Sequence, residues 1–421
     1  MAPLLGSIAD DFTGATDLAG MLVKHGMRTV QMIGVPRLPP PASSDAIVVA
    51  LKTRTVPPRD AVEASLRALR WLRDAGCRQF FFKYCSTFDS NDRGNIGPVA
   101  EALMDALETD FTIACPAFPA NGRAVFRGYL FVGDVLLHES GMRHHPLTPM
   151  TDANLVRVLQ RQSTRRVGLV RFESVRGGEA EIRRAFANAR SGGVGVAIVD
   201  ATSDSDLMAI GAACRDLPLL TGGSGIAMGL PVNFRSQGLL ARDQPAGRLP
   251  RIEGFDAVVS GSCSPATERQ VAHMRNFAPA FQIDPLRVAS GADVVAEAVD
   301  WASGRLRSGP VLVYSTTDPS TVKKVQDQLG AGRAGALVES TLAAIACRLV
   351  DAGVRRLIVA GGETAGAVVG MLRLEGLRIG DEIDPGVPWT VSLGERPLAL
   401  ALKSGNFGTD DFFLKAWSRL P

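Results

Sequence analysis

The chain has 421 residues, 46% hydrophobic and 21% charged, with 46 Lys plus Arg against 43 Asp plus Glu for a formal net charge of +3. That composition excludes a disordered chain, and the near balance of charge leaves no electrostatic footprint for nucleic acid or an anionic membrane. An aromatic share of 6% argues further against a platform for stacking single-stranded bases.

At roughly 150 residues per domain, the length predicts two or three domains. No secretory or transmembrane segment is expected, because residues 1–9 run straight into two aspartates and no apolar stretch approaches about 18 residues. The six cysteines (Cys77, Cys85, Cys115, Cys214, Cys263 and Cys347) form no C-x-x-C pair and none sits at zinc-finger spacing from a histidine. A cytoplasmic location with reduced, mostly buried thiols follows as the expectation.

Apolar runs rich in Val, Ile and Phe alternate with segments of helical period, the pattern of a parallel sheet covered by helices. The first predicted strand, 4–9, delivers Asp10-Asp11-Phe12-Thr13-Gly14 to its C-terminal end, ahead of a helix over roughly 15–25. Two adjacent carboxylates at a buried strand end need a cation, a hydroxyl or helix-terminal amides. One of them is expected to cap the helix, and at least one to contact a substrate hydroxyl, accept its proton or meet Mg²⁺.

Strands are next predicted over 29–35 and 46–51. The second leads into Lys52-Thr53-Arg54-Thr55. A helix over 60–75 follows Pro57-Pro58 and stops at Gly76, with Arg67, Arg70 and Arg73 on solvated faces. Strand 79–84 then runs into Lys83-Tyr84-Cys85-Ser86-Thr87-Phe88-Asp89-Ser90. Cations and hydroxyls converging on the acidic pair would suit a small polyhydroxylated carboxylic acid. Arg54 and Lys83 would take its carboxylate, while Thr13, Ser86, Thr87 and Asp89 would read its hydroxyls. Arg54 or Lys83 could equally serve only to neutralise Asp10 or Asp11.

Strand 111–115 ends in a proline-rich loop carrying Asn121-Gly122-Arg123, a further polar strand end from which Asn121 and Arg123 are candidate substrate contacts. Strands over 167–172 and 194–200 follow. Thr221-Gly222-Gly223-Ser224-Gly225 could offer amides to an anion. Gly223, Gly225 and Gly229 also fit a dinucleotide-type spacing, but Pro231 is expected to truncate a following helix and no acidic residue stands at the ribose position. The loop reads as substrate-side or hinge structure.

Residues 232–254 are polar and aperiodic, and are taken as a linker between an N-terminal domain (1–231) and a C-terminal domain (255–421). The second cycle has strands at 256–260, 281–284, 310–315, 356–360 and 398–402, with helices over 265–276, 292–307, 319–329, 339–352 and 364–374. Three of its strand ends carry Gly/Ser turns: Ser260-Gly261-Ser262-Cys263-Ser264-Pro265, Gly361-Gly362-Glu363-Thr364, and Lys403-Ser404-Gly405-Asn406-Phe407-Gly408. Such turns let backbone approach a phosphate, and helix N-terminal amides stabilise its charge. P-loop, protein-kinase, G-x-S-x-G and H-E-x-x-H signatures are missing, and His144-His145 has no neighbours at ligand spacing. The fold class is therefore α/β in two domains, each a largely parallel sheet covered by helices, with the active site expected in the interdomain cleft.

Taken together, Ile8–Ala15, Lys83–Ser90, Ser260-Gly261-Ser262, Gly361–Thr364 and Lys403–Gly408 resemble the four-carbon acid sugar kinase family, in order along essentially the whole chain. Within it the chain is most similar to 3-oxo-tetronate 4-kinases, through Gly94–Val99, Cys115–Arg123, Phe131–Leu137 and His145–Asp152. The resemblance implies an N-terminal domain for the sugar acid and a C-terminal domain for ATP. It implies transfer of the γ-phosphoryl group to the C4 hydroxyl of a 3-oxo-tetronate (3-dehydro-L-erythronate or 3-dehydro-D-erythronate). ATP contacts carry over onto Ser260, Gly361, Gly362, Glu363, Thr364 and Gly405, with Mg²⁺ expected on the phosphates and its ligands unassigned.

Asp10 or Asp11 would orient or deprotonate the hydroxyl, and closure about 232–254 would exclude water. Threonate or erythronate as substrate, a non-catalytic sugar-acid sensor and an NAD(P) dehydrogenase are the alternatives. Partners are the small sugar acid and ATP, with no nucleic acid or membrane; homo-oligomerisation is left open.

Overall fold

The computed structural model describes all residues except Met1, Leu38, Ala42, Pro146, Leu147, Asp243, 316–326, 328–329 and Pro421, and omits the side chains of Ala331 and Gly332. The helix expected over 319–329 lies outside the described residues apart from Asp327, as do Pro146 and Leu147 of the 145–152 motif. The chain divides into two compact units, Met1–Ala246 and Gly247–Pro421.

The first unit opens with β1 (Leu5–Ala9), α1 (Phe12–Lys24), β2 (Thr29–Ile33), β3 (Ala46–Ala50), α2 (Pro58–Asp74), β4 (Gln79–Lys83), α3 (Ile96–Ala106) and β5 (Thr112–Cys115). A small antiparallel sheet of β6 (Arg123–Phe126), β7 (Tyr129–Val132) and β8 (Val135–Leu136) follows. The βα alternation then resumes through α4 (Leu155–Gln160), β9 (Val167–Val170), α5 (Phe172–Arg176), α6 (Glu179–Ser191), β10 (Val196–Val199), α7 (Asp204–Ala213), β11 (Leu219–Gly222) and α8 (Leu230–Ser236).

The main strands are ordered β2-β3-β1-β4-β11-β5-β10-β9, and every pairing among them is parallel. β1, β3 and β4 are buried along their whole length, which is why their sequences show no polar alternation. Register pairs Ala9 with both Ala50 and Lys83, so the segments after β1, β3 and β4 leave the sheet side by side. Helix α1 begins earlier than the expected 15–25 because Asp11 caps it, and it stops before Gly26, whose φ of 89° suits the left-handed region.

Two expectations need correction. Residues 232–236 belong to α8 rather than to an irregular linker, and Pro231 sits in its first turn, where a missing N–H forfeits no helical bond. The 222–229 glycines sit tightly against neighbouring backbone. A Cβ on Gly223 would lie 2.7 Å from the Pro116 carbonyl oxygen, one on Gly225 2.8 Å from that of Ala117, and one on Gly229 2.8 Å from the Gly211 Cα. These glycines exist for backbone-on-backbone packing.

The second unit contains β12 (Phe255–Ser260), α9 (Pro265–Arg275), β13 (Ala280–Gln282), α10 (Pro285–Ala289), α11 (Val294–Ser303), β14 (Val311–Tyr314), α12 (Ala331–Asp351), β15 (Val354–Ala360), α13 (Gly362–Met371), β16 (Gly376–Asp384), β17 (Val387–Ser392), β18 (Ala399–Lys403) and α14 (Phe412–Lys415). Strands β13-β14-β12-β15-β18 are parallel, while β17 and β16 continue the order antiparallel. Val258, Leu312, Ile358, Ala401 and Trp389 build its core with Phe412 and Phe413. The Trp389 indole N–H is satisfied by the Ala416 carbonyl at 2.8 Å. Among the described residues, no helix is long and apolar enough to cross a membrane.

Candidate active site

At the C-terminal ends of β1, β3 and β4, five charged side chains converge as expected from the sequence. The Arg54 guanidinium donates from Nε to Asp10 Oδ2 at 2.9 Å and from Nη2 to Asp10 Oδ1 at 2.8 Å. The same Nη2 lies 2.8 Å from Asp11 Oδ1, and Nη1 stands 3.6 Å from Asp89 Oδ2. One guanidinium therefore serves three carboxylates, two of them buried. Lys83, only 3% exposed, adds a second cation; its ammonium acts electrostatically on both Asp10 and Asp11.

The aspartates differ. Burial pushes the Asp10 carboxyl above its ordinary range, against the pull of Arg54. Burial acts on Asp11 in the same sense, but Arg54, Lys83, the Thr13 hydroxyl and the Gly14 amide together hold it below the ordinary range. Asp11 caps α1 by accepting from Gly14 N at 3.1 Å, and its Oδ2 accepts from Thr13 Oγ1 at 2.9 Å. Its side chain is 26% exposed against 8% for Asp10. The Thr13 hydroxyl is thus committed to Asp11. Gly14 is required beside it, since a Cβ there would overlap Asp11 Oδ1 and fall 2.6 Å from Lys83 Nζ.

The loop after β4 carries the remaining expected contacts. Thr87 Oγ1 donates to Asp89 Oδ1 at 2.7 Å, which turns the other Asp89 oxygen toward Arg54. Phe88 and Asp89 both adopt positive φ, 66° and 43°, a conformation costly for residues with a Cβ and concentrated at functional sites. Ser86 is half-buried in the same loop. Asn121 and Arg123 follow β5, which β11 separates from β4, and their polar contacts are local: the Arg123 guanidinium donates to the Asn121 carbonyl.

Asn95 escaped the residue-by-residue reading. It is buried, and its Nδ2 donates to the carbonyls of Thr53 (2.6 Å), Val56 (2.9 Å) and Arg54 (3.3 Å), fixing the loop that aims Arg54. Its place just before α3 looks like an ordinary cap, so no local signal separated it from one.

In the second unit, a pocket of about 370 Å³ is lined by Ser262, Cys263, the 361–364 turn, Pro285, and Ala334, Val338 and Glu339 of α12. Gly361, at φ 120°, is the N-cap of α13 and supplies no capping side chain, so no side chain covers the first amides of that ten-residue helix, whose residues 362–364 line the pocket. A Cβ on Gly362 would meet nothing within 4 Å. Helix α9 differs, since the Ser264 side chain closes its N-terminus by accepting from Thr267 N. Gly361, Gly362, Glu363 and Thr364 line the pocket. Ser260 lies fully buried one residue before its wall, and Gly405 packs behind Ser262 and Ser264.

Ion-paired carboxylates on one βα unit, and an open helix N-terminus beside a part-apolar pocket on the other, define a two-domain α/β protein equipped for a polar small molecule and an anionic one. Residues 5–230 match the family model of a sugar-binding N-terminal domain, and residues 257–413 that of a nucleotide-binding C-terminal domain. The chain belongs to this family of sugar-binding and nucleotide-binding two-domain proteins. It is 61% identical to a 3-oxo-tetronate kinase of Burkholderia multivorans, over 98% of this chain and 96% of that one. A 3-oxo-tetronate kinase of Brucella melitensis is 47% identical over 98% of this chain and 94% of its own. A solved structure from Salmonella typhimurium superposes with a TM-score of 0.93 at 44% identity, covering 99% of both chains. One from Haemophilus influenzae gives 0.88 at 45%, covering 98% of this chain and 99% of that one.

Proposed function

We propose that this chain is an ATP-dependent kinase that phosphorylates the C4 hydroxyl of a 3-oxo-tetronate, yielding the 4-phosphate and ADP. The observation that carries the reading is its 61% identity, over 98% of its length, to a relative named 3-oxo-tetronate kinase. The geometry supports it. Phosphoryl transfer needs positioning and charge neutralisation more than covalent chemistry by the protein.

Asp11 is the carboxylate assigned to the C4 hydroxyl, because a group that meets a proton must first be reachable, and it is the more exposed of the pair. Asp10 holds Arg54 by both oxygens. Lys83, with Arg54, holds the substrate carboxylate or the oxygens of the group in transfer. Ser86 and Asp89 read the remaining oxygens, Thr87 orients Asp89, and Thr13 orients Asp11. Asn121 and Arg123 remain candidates for the far end of the substrate.

On the nucleotide side, the amides of 362–364 receive phosphate, and Pro285, Ala334 and Val338 offer apolar surface to the base. Ser260 and Gly405 support these turns from behind. No cluster of three or more His, Cys, Asp or Glu side chains able to hold a metal occurs among the described residues. Glu363, exposed in the lining of the pocket, is the protein carboxylate that would hold Mg²⁺, in the mode where phosphates and water supply most ligands. When bound, the ion neutralises charge on the phosphates. The reaction requires nucleotide and sugar acid to meet, so the interdomain cleft expected from the sequence stays part of this proposal.

ADP release in a coupled assay, across 3-oxo-tetronates, threonate and erythronate, tests it. Turnover is expected with the oxo acid. Turnover confined to the reduced acids, or ligand binding with no ADP formed, would replace the reading.

A further inference from the structure

Lys403 is the last residue of β18 and is completely buried. Its ammonium has three hydrogens and three acceptors: Thr267 Oγ1 at 2.9 Å, the Ser404 carbonyl at 3.0 Å and the Gly405 carbonyl at 2.9 Å. All three acceptors are neutral. Placing a charge in the interior without an opposite one is costly, and a packed hydrophobic side chain would serve the core better. The position of Lys403 explains what the ammonium achieves instead.

Lys403 contacts two of the three Gly/Ser turns directly and reaches the third through Thr267, in the first turn of α9. Its backbone carbonyl accepts from Gly361 N at 2.8 Å, which fixes the residue that starts α13 and borders the pocket. Its ammonium gathers the 404–405 turn. The Gly405 carbonyl accepts in addition from Ser264 Oγ at 2.6 Å and Thr267 Oγ1 at 2.8 Å, tying that turn to the start of α9. The contact is close: a Cβ on Gly405 would lie 2.7 Å from Ser262 Oγ and 3.0 Å from Ser264 Oγ. Ser262 in turn lines the pocket. The ammonium never reaches the pocket itself, so Lys403 can act on a ligand there only through these turns.

We infer that Lys403 is a positioning residue for the nucleotide, one buried ammonium that sets the spacing of the 262–264, 361–364 and 404–405 turns and thereby the affinity of the pocket. The inference rests on the reading of that pocket as the nucleotide site.

The test uses the full chain as wild type, Lys403→Met and Thr267→Val, with ADP binding measured by calorimetry and KM measured separately for ATP and for the sugar acid. Lys403→Met is expected to weaken ADP binding and raise KM for ATP by roughly tenfold or more, the scale of lost hydrogen bonds to a charged group. Thr267→Val should move both in the same direction by less. In both variants kcat at saturating ATP and KM for the sugar acid should stay within about threefold of wild type.

If wild type binds ADP and Lys403→Met binds it equally well, the inference is overturned while the pocket assignment stands. Wild type that binds no ADP overturns the pocket assignment, and the inference with it. A parallel loss of kcat and of both KM values would mark a general structural role and also overturn it. Should Lys403→Met not fold, Thr267→Val decides alone: unchanged ADP affinity rejects the inference, and weakened ADP binding with unaltered sugar-acid KM supports it.

Discussion

Arg54 grips Asp10 through both carboxylate oxygens, at 2.8 and 2.9 Å, across the two neighbouring strand ends of β3 and β1. Lysine keeps the charge but not the planar fork, so Arg54→Lys should lower kcat/KM by about 100-fold with a small loss of Tm. Arg54→Met leaves the buried Asp10 and Asp89 without the guanidinium that pairs them and should cost about 3–5 kcal/mol of stability. Steady-state kinetics beside thermal melts check both. Equal kinetics for Arg54→Lys and wild type would remove the bidentate contact from the mechanism.

The pKa values of the acidic pair part in opposite directions, Asp10 upward through burial and Asp11 downward through its cations and amides. Asp11 is thus ionised throughout the working range. The acid limb of kcat/KM should lie above the ordinary carboxylate range and belong to Asp10, whose protonation loosens its hold on Arg54. Asp11→Asn should lower kcat by at least about 100-fold while costing no more than about 1 kcal/mol as a helix cap. A pH–rate profile of wild type and Asp11→Asn checks this; wild-type kcat in the variant would hand the hydroxyl to another residue.

Asn95→Ala should raise KM for the sugar acid and leave KM for ATP unaltered. It removes the donor that three carbonyls of the Arg54 loop share, at about 1–3 kcal/mol of stability. A shift in both KM values would show that the loop does not act locally.

Glycines in the two units should answer differently. At Gly362 a methyl group meets open space, so Gly362→Ala should keep or raise Tm while weakening nucleotide binding. At Gly223 it meets the Pro116 carbonyl oxygen at 2.7 Å, and Gly223→Ala should lower Tm. Melting curves with and without ADP distinguish the two.

Lys403 makes stability depend on pH. Burial draws its pKa from the ordinary 10.5 down to about 7, so between those values the unfolded chain binds the additional proton. Stability from this group is therefore lowest below pH 7 and rises toward pH 10.5. The Tm difference between Lys403→Met and wild type should favour the variant most below about pH 7 and shrink through the alkaline range. A difference that stays constant from about pH 6 to about pH 10 would show that burial does not lower the pKa of Lys403.

The strand ends were legible because chemistry sits where apolar runs stop: Asp10, Asp11, Arg54 and Lys83 each follow or close a uniformly apolar segment, and register brings three such segments together. The turn at 361–364 was legible for the same reason. The division of labour within these groups was not. That Asp11 rather than Asp10 caps α1 follows from where the helix starts, and Asn95 acts on residues about forty positions away. The small antiparallel sheet β6–β8 and the pair β16–β17 went unread, being short or interrupted in their alternation. For the glycines near 223 the sequence could not show the backbone packing, because a tight backbone contact and a phosphate contact demand the same missing side chain.

Two consecutive residues with side chains, Phe88 and Asp89, hold left-handed torsions in the loop that faces Arg54. Glycine at position 89 would relax that segment, yet it would also delete the oxygen turned toward the guanidinium. Selection for thermal robustness alone would drift toward the smaller residue, whereas selection for turnover holds the acid in place. Libraries screened only by heat should enrich glycine at 89 and lose the enzyme.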